Sequence, residues 1–293
     1  MRPEPVTTIT PVINQTVLVS GADYFSVKEL NPYSHATDQP NVEITTREHA
    51  AIITALHSAG VDVRQVPAPP ACQDGVYTAN WALVLGSTAV LSNLPGPRRG
   101  EEPAAEATLQ SLGLHTIRPP YRFSGQGDCL AVGPYLLCGQ GYRTDPRMHP
   151  WLAKTFPERQ VISLQTIPAL GPDSRPVINR ETTWPDSLFY DIDLALAVLT
   201  PTLIAWCPEA FDATSQATIR DLDLERIEVS YDEAVTAFAC NLISTGHTVI
   251  MSDRAPQLQA AIEAQGLRTI TPAFTQVAKG GGYIRCTTLT LSN

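Results

Sequence analysis

Lys279-Gly280-Gly281-Gly282-Tyr283-Ile284-Arg285-Cys286-Thr287-Thr288-Leu289 is the most informative stretch of this 293-residue chain. Three consecutive glycines allow close backbone approach and positive φ, which side chains forbid. A β-prone run follows, with Cys286 inside it. A glycine turn that delivers one thiol to a fixed point suits a nucleophile. Any tight turn before a buried strand has the same form, so the surrounding sequence must discriminate.

Working outward, the same pattern recurs: a polar residue, an apolar run, a short turn and a second apolar run. Asn80 leads WALVLGSTAVLSNL, Asp128 leads CLAVGPYLLCG, Asp193 leads LALAVLTPTLIAWC, Asn241 leads LISTGHTVIMS and Cys286 leads TTLTL. The leaders are 48, 65, 48 and 45 residues apart, a period that marks a repeated supersecondary unit. Gly86-Ser87, Gly133-Pro134, Thr200-Pro201 and Gly246-His247 split the paired runs as hairpin turns.

Helical patterns lie between the hairpins. They run from Thr46 (as N-cap) to Gly60, Glu101 to Gly113, Asp212 to Leu222 and Ala255 to Gly266. Gln15–Ser20 predicts a first strand that completes a ring with the C-terminal repeat. Each unit is thus hairpin, helix, strand. The predicted class is α/β, a five-bladed α/β propeller with pseudo-fivefold repeats spanning 15–293 as a single domain, after an N-terminal tail over 1–14. Its five leaders would meet near the central axis. An ordinary α/β sandwich with polar strand starts is the alternative.

Composition narrows the function classes. Net charge is −9 without a basic run, which argues against nucleic acid and anionic membrane as partners. No run approaches the roughly 20 apolar residues of a membrane span. Six cysteines and six histidines are scattered without metal-ligand or CxxC spacing, so neither a metal, a cofactor nor a disulfide framework is expected. The expectation is a reduced, cytoplasmic protein that takes a small ligand; a homo-oligomer is compatible with the composition. Arg98-Arg99 is expected in a solvated loop, Asp128 in a structural role, and Cys129 and Cys138 in the core.

Five motifs, in order, resemble those of the guanidine-modifying enzymes, the dimethylarginine dimethylaminohydrolases, arginine deiminases, arginine dihydrolases and amidinotransferases. They are Asp74-Gly75-Val76-Tyr77-Thr78-Ala79-Asn80, Phe123-Ser124-Gly125-Gln126-Gly127-Asp128, Gly141-Tyr142-Arg143-Thr144, Phe189-Tyr190-Asp191-Ile192-Asp193 and the Cys286 segment. The resemblance covers nearly the whole chain and implies the five-bladed α/β propeller. It also implies a cysteine that attacks the guanidinium carbon, carboxylates or an Asn that hold the cation, and a Glu-oriented histidine that moves protons.

Residue by residue, the resemblance implies Cys286 as nucleophile and Asp193 and Asn80 as guanidinium contacts. Asp74 and Arg143 match substrate-contacting positions, Arg143 as a clamp for an α-carboxylate. Asn31 and Ser124 complete the substrate-binding set. The chain departs from the family at three places: Asp191 stands where the histidine is expected, Ser124 where the glutamate is, and Arg285 before the cysteine. His35 is the best spare histidine, and His247 falls in a hairpin turn. Trp81 is bulky where relatives are small and is expected to narrow the pocket. Asp191 is the candidate substitute acid/base, or else a further cation contact. Two functions follow: a cysteine-dependent hydrolase or amidinotransferase for a guanidine or amino-acid substrate, or a pseudoenzyme that keeps an acidic pocket for binding.

Overall fold

The computed structural model describes residues 12–273 and 275–292. Residues 1–11 of the expected tail lie outside the described residues; Ile13 N–H already bonds the Thr245 carbonyl at 3.1 Å.

Strand β1 (Thr16–Ser20) is followed by helix α1 (Val42–Ser58) and strand β2 (Asp62–Val66). The second unit is β3 (Ala82–Leu85), β4 (Thr88–Leu91), α2 (Glu102–Ser111) and β5 (His115–Ile117). The third is β6 (Cys129–Val132), β7 (Tyr135–Gly139), α3 (Met148–Thr155) and β8 (Gln160–Leu164). The fourth is β9 (Leu196–Thr200), β10 (Leu203–Trp206), α4 (Ala213–Asp221) and β11 (Glu225–Glu228), with α5 (Tyr231–Thr236) in the connection. The fifth is β12 (Ile243–Ser244), β13 (Thr248–Ile250), α6 (Pro256–Ala264) and β14 (Arg268–Ile270), before the closing strand β15 (Leu289–Ser292).

These strands form five three-stranded sheets, each with one antiparallel and one parallel pairing. The expected hairpin-helix-strand unit is therefore the unit of the fold, a five-bladed α/β propeller. A helix between the second and third strands supplies the length that a parallel return requires. β15 pairs with β1, joining the two ends of the chain in one sheet as the ring reading required. Along β1 the side chains alternate between two core clusters, Val17 and Val19 on one face and Leu18 on the other.

Helix α1 begins earlier than its expected Thr46 cap. Asn41 is the N-cap, its Oδ1 accepting from Ile44 N–H at 3.0 Å, while the Thr46 hydroxyl bonds back to the Val42 carbonyl. Asp212 caps α4 through Ser215 N–H at 2.7 Å, as its position predicted. Helices α3 and α5 escaped the periodicity. Pro150 occupies the first turn of α3, where an N–H has no intrahelical partner to lose, and α5 is too short to display an apolar stripe.

Short 3-10 turns over Thr78–Trp81, Gly125–Gly127 and Ile192–Leu194 sit at or just before the polar leaders Asn80, Asp128 and Asp193. Each turn ends where an inner strand begins, so the leaders gather at one end of the axis. No described helix is long and apolar enough to cross a membrane.

Candidate active site

The glycine run sets the position of the cysteine. Gly281 has φ +97°, and a Cβ on Gly282 would lie 2.6 Å from the Cys286 sulfur, nearer than any real contact. The turn is held from α1: the Glu48 carboxylate accepts from the backbone N–H groups of Thr275, Gln276 and Val277. Tyr77 and Tyr190 anchor it from two other units, donating to the carbonyls of Val277 and Gly281, each at 2.6 Å.

Cys286 is 2% exposed. Its sulfur has two polar neighbours: Asn241 Nδ2 donates to it at 3.1 Å, and the thiol lies 3.4 Å from Asp193 Oδ2. Asn241 Oδ1 accepts from the N–H groups of Tyr283 and Cys286, so one amide fixes both the backbone and the sulfur. Burial pushes the thiol well above its ordinary value, and the charges of Asp193 and Asp191 push it further. Asp193 is itself raised by burial and by Asp191, with Arg285 opposing. One of its oxygens, Oδ1, has no hydrogen-bond partner. Burial and mutual repulsion thus both disfavour charge on the thiol and on the carboxylate that faces it.

Asp191 is adjacent but makes no bond to the sulfur. Its Oδ2 accepts from Asn80 Nδ2 at 2.7 Å, and the same amide donates to Ser124 Oγ at 2.9 Å. Burial raises Asp191, opposed chiefly by the positive charge of Arg143. Asp128 bonds Ile192 N–H at 3.1 Å, which fits its expected structural role.

A small opening leads to Cys286. Asn31, Asp74, Asn80, Arg98, Arg143 and Tyr190 border it, and the void between the side chains is about 20 Å³, on the order of one water. Arg143 lies over the Tyr190 ring at 4.8 Å, with Nη1 unpartnered. Asn31 Nδ2 donates to the Gly280 carbonyl at 2.8 Å, tying its loop to the glycine run.

Arg98 corrects the expected solvated loop. Its side chain is 10% exposed and forms a two-pronged pair with Glu101, with both contacts at 2.8 Å. Nη1 donates to Asn80 Oδ1 at 2.9 Å, and Nε lies 3.6 Å from Asp74. Arg99 is exposed as expected. Trp81 does not narrow the opening; it packs into the apolar cluster with Leu18, Ala82 and Leu289. Asn241 and Arg98 were missed as site residues. The repeat already placed Asn241 among the leaders, whereas a lone pair of arginines carries no mark of burial.

No histidine borders the opening. His35 and His247 are exposed, and His149 is buried against Ser163 and the Gly139 carbonyl. Among the described residues no cluster of three or more His, Cys, Asp or Glu could hold a metal.

Burial of several acids predicts a pH dependence. Asp128 is raised from 3.8 to about 8, by burial and then by Asp191. Asp74 is raised to about 7, burial outweighing the attraction of Arg98. The folded chain therefore binds more protons than the unfolded chain between these values. The stabilisation is complete below the unfolded value near 3.8 and is lost as pH climbs through about 7 to 8. The melting temperature should fall between about pH 5 and about pH 9. Asp128→Asn keeps the oxygen that accepts from Ile192 and should flatten that fall. A wild-type Tm that rises over this range contradicts the assignment.

The chain matches no family model. It is 28% identical to an N(G),N(G)-dimethylarginine dimethylaminohydrolase of Mycobacterium tuberculosis, over 96% of this chain and 86% of that protein. It is 32% identical to the bifunctional arginine dihydrolase/ornithine cyclodeaminase AgrE of Nostoc, over 74% of this chain but only 29% of that longer protein. Among solved structures, a variant of the N-terminal domain of ArgZ, covalently bound to a reaction intermediate, superposes with a TM-score of 0.84. The identity is 26%, covering 94% of this chain and 97% of that one. The dimethylarginine dimethylaminohydrolase of Pseudomonas aeruginosa in complex with citrulline shares the fold at a TM-score of 0.75 and 20% identity, over 94% and 98% of the two chains.

Proposed function

The chain belongs to the guanidine-modifying superfamily, and on that premise we propose that it is a cysteine-dependent hydrolase that breaks a C–N bond of an arginine-like guanidine. One observation carries the reading: the Cys286 thiol meets Asp193 at 3.4 Å at the foot of an opening bordered by Asp74, Arg98 and Arg143. Acids near the sulfur suit a guanidinium. Arg143 beside it, with Nη1 unpartnered, suits a carboxylate at the other end of the same molecule. Relatives named as arginine dihydrolase and dimethylarginine dimethylaminohydrolase support the same chemistry.

In this proposal substrate enters by displacing side chains, since the void of about 20 Å³ is too small for it. Arg98 is the group to move, because its guanidinium already sits on Asn80. The incoming cation favours the ionised form of Asp193, opposing the burial that raises it, and leaves that carboxylate able to take the thiol proton. Sulfur then bonds to the guanidinium carbon, and its proton passes to Asp193. The C–N bond breaks as Asp193 returns that proton to the leaving amine. Water attacks the thiouronium carbon, loses a proton to Asp193, and the C–S bond breaks to regenerate the thiol. The products are an amine and a ureido compound. Asp191, joined to Asn80 and Ser124, keeps negative charge beside the reacting centre and is the second candidate for the proton.

The test is incubation with arginine, N-methylated arginines and agmatine, with ammonia or methylamine as readout and intact mass for a thiouronium on Cys286. Turnover of one guanidine together with the adduct is expected. The lack of a histidine at the opening favours a second reading, a guanidine-binding protein without turnover. Thermal stabilisation by a guanidine with neither product nor adduct would select that reading and overturn the first.

A further inference from the structure

A cavity walled by the inner strands of the blades lies apart from the opening at Cys286 and shares none of its lining residues. Its volume is about 610 Å³, within the range of small-molecule sites. All five inner strands contribute to it, through Leu83–Leu85 of β3, Cys129–Val132 of β6, Leu196–Val198 of β9, Leu242 and Ile243 near β12, and Thr290 of β15. The wall is apolar, apart from a few groups. Its outer end is at the hairpin turns, where Gly133 and Pro201 reach solvent, and Arg159 stands there bonded to the Gly133 carbonyl. Its inner end is Arg285, the residue before the cysteine.

Arg285 is the unusual feature. It is 8% exposed, and no carboxylate lies within ion-pair distance among the described residues. Nη1 donates to Thr290 Oγ1 and Nη2 to Gln126 Oε1, both at 3.0 Å and both neutral acceptors, and Nε has no partner. A guanidinium does not shed its proton, and Asp193, the acid whose charge reaches Arg285, lies beyond ion-pair distance, so a direct anionic contact is left open to it. The cavity wall carries two arginines and no acid, in a chain whose net charge is −9.

We propose that this cavity is a second ligand site, for a small carboxylate with an apolar body, the carboxylate meeting Arg285 and the body lying along the inner strands. The apolar wall supplies the larger share of affinity through burial, and the buried cation supplies the preference for an anion. The site is separate from the opening at Cys286 and does not depend on the proposed reaction.

The probe is decanoate, titrated below its micelle concentration into the full chain by calorimetry, with decanol and acetate as controls. Saturable one-to-one binding is expected, about tenfold or more tighter for decanoate than for decanol, with no measurable binding of acetate. Arg285→Met should abolish the difference between decanoate and decanol. Ala131→Phe, at the half-buried position of β6, should weaken both by narrowing the cavity while leaving the charge in place. Circular dichroism checks that each variant is folded. Equal binding of decanoate and decanol to the wild type overturns the role of Arg285, and non-saturable uptake or no binding overturns the site. If Arg285→Met does not fold, the wild-type preference and the Ala131→Phe series still decide.

Discussion

Changing Cys286 to serine should cut guanidine turnover by about 10⁴-fold or more while leaving the fold intact. A hydroxyl fits the same space and can keep the contacts to Asn241 and Asp193, which now lie at 3.1 and 3.4 Å. Oxygen cannot replace the sulfur nucleophile, because serine needs an efficient base to ionise and no histidine borders this opening. The variant should still be thermally stabilised by the guanidine that the wild type consumes. Rates by ammonia release and binding by thermal shift make the comparison. Turnover near the wild-type level in Cys286→Ser would remove the cysteine from the mechanism.

Asp193→Asn should have two effects of opposite sign. Guanidine kcat/KM should fall by about 10³-fold, since a buried carboxylate facing the cation is lost and an uncompensated buried charge costs about 3–5 kcal/mol. The thiol should become easier to ionise, because Asp193 is second only to burial among the causes that hold it up. Its titration, followed by thiolate absorbance or iodoacetamide labelling, should shift to lower pH. A merely structural Asp193 would lower activity without that shift. Asp191→Asn provides the contrast: its carboxylate is bonded to Asn80 rather than to the sulfur, so its effect on the thiol should be smaller.

Much of this architecture was legible in the residues. Hairpin turns at Gly86-Ser87 and Gly133-Pro134 are chemical punctuation, and the apolar runs beside them have one length and one partner in sequence. Five repetitions then place Asn80, Asp128, Asp193, Asn241 and Cys286 at equivalent points, which is why their gathering at the axis could be anticipated. Glycine requirements are local too: the spacing of Gly282 and Cys286 within one turn sets their approach.

Contacts between units left no such trace. Arg98 carries the same side chain as the exposed Arg99, and what buries it is Glu101 on its own turn with Asp74 and Asn80 opposite. Asn241, rather than a histidine, donates to the sulfur because the fifth unit packs its leading turn against the Tyr283–Cys286 turn, with Cys286 45 residues on in sequence. Local chemistry and repetition thus prescribed the blades, the ring and the cysteine at its centre. The protonation of the acids, the pairing of Arg98 and the charged floor of the inner-strand cavity depend on desolvation and distance between remote segments, and those exist only once the blades have closed around them.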